Sequence, residues 1–60
     1  MDIMNMKSGV LIKNKRNGST YILGEYVNEV ARELKLLGSI GNFAIDYINT
    51  NTQEEYEIVD

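Results

Sequence analysis

The side chains of this sequence able to do chemistry are carboxylates, cations and phenols. It has nine Asp and Glu, six Lys and Arg and four Tyr, with no His and no Cys. Acid–base catalysis near neutrality most often uses imidazole, and the strongest common nucleophile is a thiolate, so both usual routes are closed. Ser8, Ser19 and Ser39 each adjoin a glycine, which is turn chemistry, and none begins an S-x-x-K motif. Glu54, Glu55 and Glu57 come nearest to a two-carboxylate hydrolytic site. Read as part of a strand, however, Glu55 and Glu57 fall on one face as a solvated edge. Gly38-Ser39-Ile40-Gly41 lacks the phosphate-loop pattern, and Asp46-Tyr47-Ile48-Asn49 lacks calcium-loop spacing. The chain is expected to be no enzyme and to hold no cofactor or metal.

Binding is the chemistry that remains, and two places invite it. Lys13, Lys15 and Arg16 precede Asn17-Gly18, a basic cluster whose ordinary reading is a solvated turn. Its functional reading has Arg16 and Lys13 approach Tyr21 or Tyr47 across a dimer seam, so that rings stack on a base while the cations hold a phosphate. The second place is the acidic stretch Glu54, Glu55 and Glu57. Charge separates the two along the chain. Residues 1–16 carry Lys7, Lys13, Lys15 and Arg16 against Asp2, a net +3, and residues 17–60 carry eight acids against Arg32 and Lys35, a net −6. An overall charge of −3 argues against sequence-specific DNA binding.

The elements that must position these groups are read from periodicity and turn signals. Val10-Leu11-Ile12-Lys13 and Thr20-Tyr21-Ile22-Leu23 flank Asn17-Gly18, the strongest short hairpin signal, so residues 9–24 are expected to form a hairpin. Leu23, Tyr26, Val27, Val30, Ala31, Leu34 and Leu37 recur at spacings of three and four, which predicts a helix over 28–37 that ends at Gly38. Leu36 falls off that stripe. Phe43, Ile45 and Tyr47 alternate with Ala44, Asp46 and Ile48, and Tyr56 alternates with Glu57, so residues 42–59 read as a second hairpin across Asn49–Thr52. The expected fold is α+β, β-β-α-β-β, one helix on an antiparallel sheet. The alternative is an SH3-like small β-barrel in which residues 28–37 form a strand-loop-strand.

Sixty residues make one domain with a thin core, and without cysteine no disulfide can reinforce it. Self-association as a homodimer or larger is therefore expected. Met1, Met4 and Met6 are all candidate starts, and residues 1–6 are expected to fray. No apolar run approaches the roughly 18 residues that span a bilayer. A cytoplasmic protein without membrane contact is expected.

In length and wording (Ile12-Lys13-Asn14-Lys15, Asp46-Tyr47-Ile48-Asn49-Thr50-Asn51, and Glu54-Glu55-Tyr56-Glu57) the chain resembles small proteins of phages and mobile elements. The resemblance implies a host inhibitor, including the anti-defence kind that covers a host enzyme or sequesters its nucleotide signal. Three roles are carried forward: an inhibitor or regulator that binds a host protein, an oligomeric sponge for a small anionic ligand, and a structural or assembly subunit.

Overall fold

A computed structural model of the chain describes residues 2–38 and 45–59. They form a five-stranded antiparallel sheet of β1 (Leu11–Asn14), β2 (Thr20–Tyr26), β3 (Ala31–Leu36), β4 (Ile45–Asn49) and β5 (Tyr56–Ile58). Two 3-10 turns, Ile3–Asn5 and Gln53–Glu55, precede β1 and β5. The strand order is β4-β3-β2-β1-β5, so the first four strands meander and the fifth returns to pair with the first.

The expected helix is replaced by the end of β2, a four-residue bend and β3. The heptad-like stripe was the weaker of two superposed patterns. In β3 the inward residues are Arg32, Leu34 and Leu36, a period of two, and Leu37, which the helical stripe needs inside, is half exposed. Leu36 packs against the core, which explains why it failed to fit a helix. The α+β reading is therefore corrected to a mostly-β fold. In the all-β alternative, residues 28–37 were a strand-loop-strand; here the bend over 27–30 leads into one strand, Ala31–Leu36. The expected C-terminal hairpin is also corrected, because β4 pairs with β3 and β5 pairs with β1. Residues 42–44 of that hairpin, with Ile40 and Phe43, lie outside the described residues.

The core sits on one face of the sheet. Ile12, Leu23, Leu34 and Ile48 are fully buried, one from each of the first four strands, and the rings of Tyr21 and Tyr56 meet edge to face with centroids 6.1 Å apart. Such a layer needs a cover. The N-terminal turn supplies one: Ile3 and Met4 are 3% and 4% exposed, so the segment expected to fray is part of the core.

Arg32 fastens that cover. It is 3% exposed, and its guanidinium donates from Nε (3.0 Å) and Nη2 (2.8 Å) to the Gly24 carbonyl, from Nη1 to the carbonyls of Met4 (2.9 Å) and Met6, and from Nη2 to Ser8 Oγ (3.3 Å). Five N–H donors meet five acceptor contacts, which is what a buried arginine requires. No carboxylate is among these acceptors, although the Ser8 hydroxyl donates in turn to Glu25. The guanidinium carbon also lies 4.8 Å from the centroid of the Tyr26 ring, whose hydroxyl donates to the Met4 carbonyl. The Gly24 carbonyl is available because β2 carries an irregularity between Leu23 and Tyr26, where the pairing with β3 slips by one residue. Glycine suits that position: a Cβ there would stand 3.1 Å from Glu33 Cβ and 3.2 Å from the Glu33 carbonyl oxygen.

The outer strand β4 is guarded along its open edge. Leu37 N donates to Thr20 O (2.9 Å), so by antiparallel alternation Ile45, Tyr47 and Asn49 direct their backbone groups outward from β4. Asp46 Oδ1 accepts from Tyr47 N at 2.8 Å and Thr52 Oγ1 from Asn49 N at 3.0 Å. Side chains thus occupy two of the three outward donors, a local device against edge-to-edge pairing.

Two outcomes follow for stability. Arg32→Met should lower the unfolding free energy by about 3 kcal/mol in urea titration, because several buried carbonyls lose a charged donor at once. Deletion of residues 1–5 removes Ile3 and Met4, each contributing roughly 1.5–3 kcal/mol of burial, and should leave the chain largely unfolded by circular dichroism at 37 °C.

Candidate functional site

The charged residues singled out from the sequence, with Asn17, gather where β1 meets β5; Tyr21 and Tyr47 do not. β1 ends at Asn14, whose buried side chain organises the following turn: Oδ1 accepts from Arg16 N (2.8 Å) and Asn17 N (3.1 Å), and Gly18 N returns to the Asn14 carbonyl (2.9 Å). Gly18 has φ +77, a conformation glycine adopts without strain, and Asn17 Oδ1 accepts from Ser19 N (2.8 Å). Lys13, Lys15 and Arg16 are all exposed around this turn.

The acidic stretch lies beside them. Lys13 pairs in register with Glu57, Lys15 N donates to the Glu55 carbonyl (2.8 Å), and Arg16 Nη1 lies 3.5 Å from Glu55 Oε1. The basic tip and the acidic tail, far apart in sequence, are one corner of the molecule with mixed charge. With the Arg16 side chain 81% exposed, the ion pair is screened by water and contributes little to stability. Its consequence is electrostatic: neither sign forms an uninterrupted patch. Glu54 and Glu55 belong to a 3-10 turn, so the strand reading that set Glu55 and Glu57 on one face is replaced.

Within one chain, Tyr21 and Tyr47 lie apart from these cations. Tyr21 is 7% exposed on the core face of β2, and Tyr47 is 54% exposed on the outer face of β4. Tyr26, on the apolar stripe of the expected helix, is half exposed and serves Arg32.

A concavity of about 340 Å³ opens at the turn itself, against Asn14, Arg16, Asn17 and Glu55, and two others lie elsewhere on the sheet. One, about 320 Å³, runs beside β5 between the N-terminal turn and the strand, with Ile3, Tyr56 and Ile58 below and Lys15, Glu54 and Glu57 around it. The other, about 220 Å³, lies on the outer face of β2–β4, against Ile22, Gly24, Ile45 and the side chains of Glu33 and Lys35. Ile22 pairs with Lys35 and Lys35 with Ile45, so these three form one cross-strand row; Tyr47 stands opposite Glu33 in the next. Sequence reasoning missed Ile22 and Ile45 because their exposure depends on which face the core occupies. No group of three or more His, Cys, Asp or Glu among the described residues is placed to hold a metal ion. No helix among them is long and apolar enough to cross a membrane.

Tyr56 links this corner to the core. Burial pushes its phenol pKa above 10.0; a hydrogen bond with Asn14 opposes the rise, and the nearby charge of Asp46 on β4 adds to it. Because the folded pKa is raised, the stabilisation is complete below the unfolded value of 10.0 and is lost as pH climbs through the folded one. Stability should therefore fall from about pH 10 upward, and Tyr56→Phe should flatten that fall in denaturant titrations across alkaline pH.

No family model, curated protein or solved structure matches the chain, so its own surfaces carry the functional reading.

Proposed function

We propose that this chain is a small non-enzymatic binding protein that acts by covering part of another protein, as an inhibitor or regulator of the kind its resemblance to phage and mobile-element proteins implies. The observation that carries the reading is the outer face of β2–β4, where Ile45 and Tyr47 are 47% and 54% exposed beside Ile22 and Leu37. In a chain this small, exposed apolar groups gathered on one sheet face are interface material. Tyr47 has the amphipathic ring and low ordering cost of an anchor. Glu33 and Lys35 would supply the polar rim. The setting is taken as cytoplasmic, in keeping with a chain that has no cysteine to oxidise. The nucleotide-sponge reading loses support, since Tyr21 is packed in the core and Arg16 is paired with Glu55.

Self-association through the same face is the second reading. Glu33 and Lys35 stand two residues apart on that face, and a two-fold axis between them would set each opposite its counterpart of opposite sign. A photo-crosslinking residue at position 47, with one at position 13 as control, separates the readings in cells that make the protein. An adduct with a foreign protein from 47 alone, reduced at least about tenfold by Ile45→Glu, supports the first, given that a buried interface charge costs more than 1.4 kcal/mol. A crosslinked dimer of the chain supports the second, and no adduct from position 47 overturns both.

A further inference from the structure

The open edge of β5 differs from that of β4. Lys15 N donates to Glu55 O (2.8 Å) and Val59 N to Leu11 O (2.9 Å), so residues 55, 57 and 59 turn their backbone groups toward β1. Alternation then directs Tyr56 and Ile58 outward. Tyr56 N–H is taken by the Gln53 carbonyl, which leaves the Tyr56 carbonyl and both backbone groups of Ile58 directed along the 320 Å³ groove. Where β4 carries Asp46 and Thr52 side chains over its outward donors, Ile58 N–H has no such cap among the described residues.

We propose that this edge binds an extended segment of a partner protein, which adds as a sixth strand beside β5, and that the segment alternates apolar with basic side chains. Outward backbone groups select an extended chain over a helix, because only a strand presents donors and acceptors at matching spacing. Side chains of the added strand alternate between faces. On one face they would meet the apolar floor of Ile3, Tyr56 and Ile58, and on the other the rim, where Glu54 and Glu57 outnumber Lys15. A second copy of β5 fits poorly: pairing residue 56 with 58 of a copy sets Glu57 directly against its own counterpart, a destabilising like-charge pair. The inference is independent of the β2–β4 face, which lies toward the other edge of the sheet.

The probe is a short peptide of alternating Lys and Val, followed by amide chemical shifts and hydrogen exchange. It should shift Glu57, Ile58 and Ile3 and slow exchange at Ile58 N–H, while the same peptide with Glu in place of Lys should bind at least about tenfold more weakly, a difference of 1.4 kcal/mol or more. N-methylation of those alternate peptide N–H groups that face β5 should abolish binding, and methylation of the other set should not. In the protein, Ile58→Pro removes an N–H that β1 does not use and should abolish binding too, whereas Ile58→Val should retain it. Should the proline variant unfold, the N-methylated peptide still decides the matter. Shifts confined to β4, equal binding of the Glu peptide, or indifference to N-methylation would each overturn the proposal.

Discussion

One buried guanidinium sets the terms for the rest of this fold. Taking a charged side chain out of water costs several kcal/mol unless every donor finds an acceptor. Arg32 meets that demand with backbone carbonyls drawn from two places, Gly24 in β2 and Met4 and Met6 in the N-terminal segment. The irregularity in β2 turns the Gly24 carbonyl toward it, and the glycine lets the two strands approach there. Because the carbonyls of residues 4 and 6 are tied to β3, Ile3 and Met4 are held over a sheet face that would otherwise be wet. A polar contact thus positions an apolar cover.

Among the described residues, a single sheet with so small a core leaves two strand edges and a half-exposed outer face. β4 has its outward donors met by Asp46 and Thr52, and its outer face shows isoleucine and tyrosine. β5 is short, lies along a groove and retains outward backbone groups. The two sides of the sheet therefore differ: a half-exposed apolar face around Tyr47, and an edge with outward backbone groups beside Ile58.

Charge is organised by topology in the same way. The return of β5 to β1 brings Glu55 to Arg16 and Glu57 to Lys13, so a chain that is polarised along its length becomes mixed at one corner. With opposite charges this close, the field beyond about 8 Å at physiological salt is weak, and long-range steering by either cluster is reduced.

The sequence by itself determined the local items. Asn17-Gly18 specifies a tight turn through glycine's access to positive φ, the alternation around Tyr47 and Tyr56 marks strands, and the missing histidine and cysteine narrow the chemistry. It misled where two periods overlapped. Residues 23–37 satisfy a helical stripe on paper, and the inward position held by Arg32 hides the alternation of β3, since a buried arginine reads as a surface residue until its acceptors are known. Only the tertiary structure could supply those acceptors, because they are backbone carbonyls of Gly24, Met4 and Met6, atoms that every sequence has and none advertises. Tertiary structure likewise decided that β5 crosses to β1, which joined the basic and acidic clusters and set Tyr56 against Tyr21, and the register of β4 on β3 turned Tyr47 outward. Pairing between strands as far apart in sequence as β1 and β5 is a choice among sheet edges that no local pattern encodes.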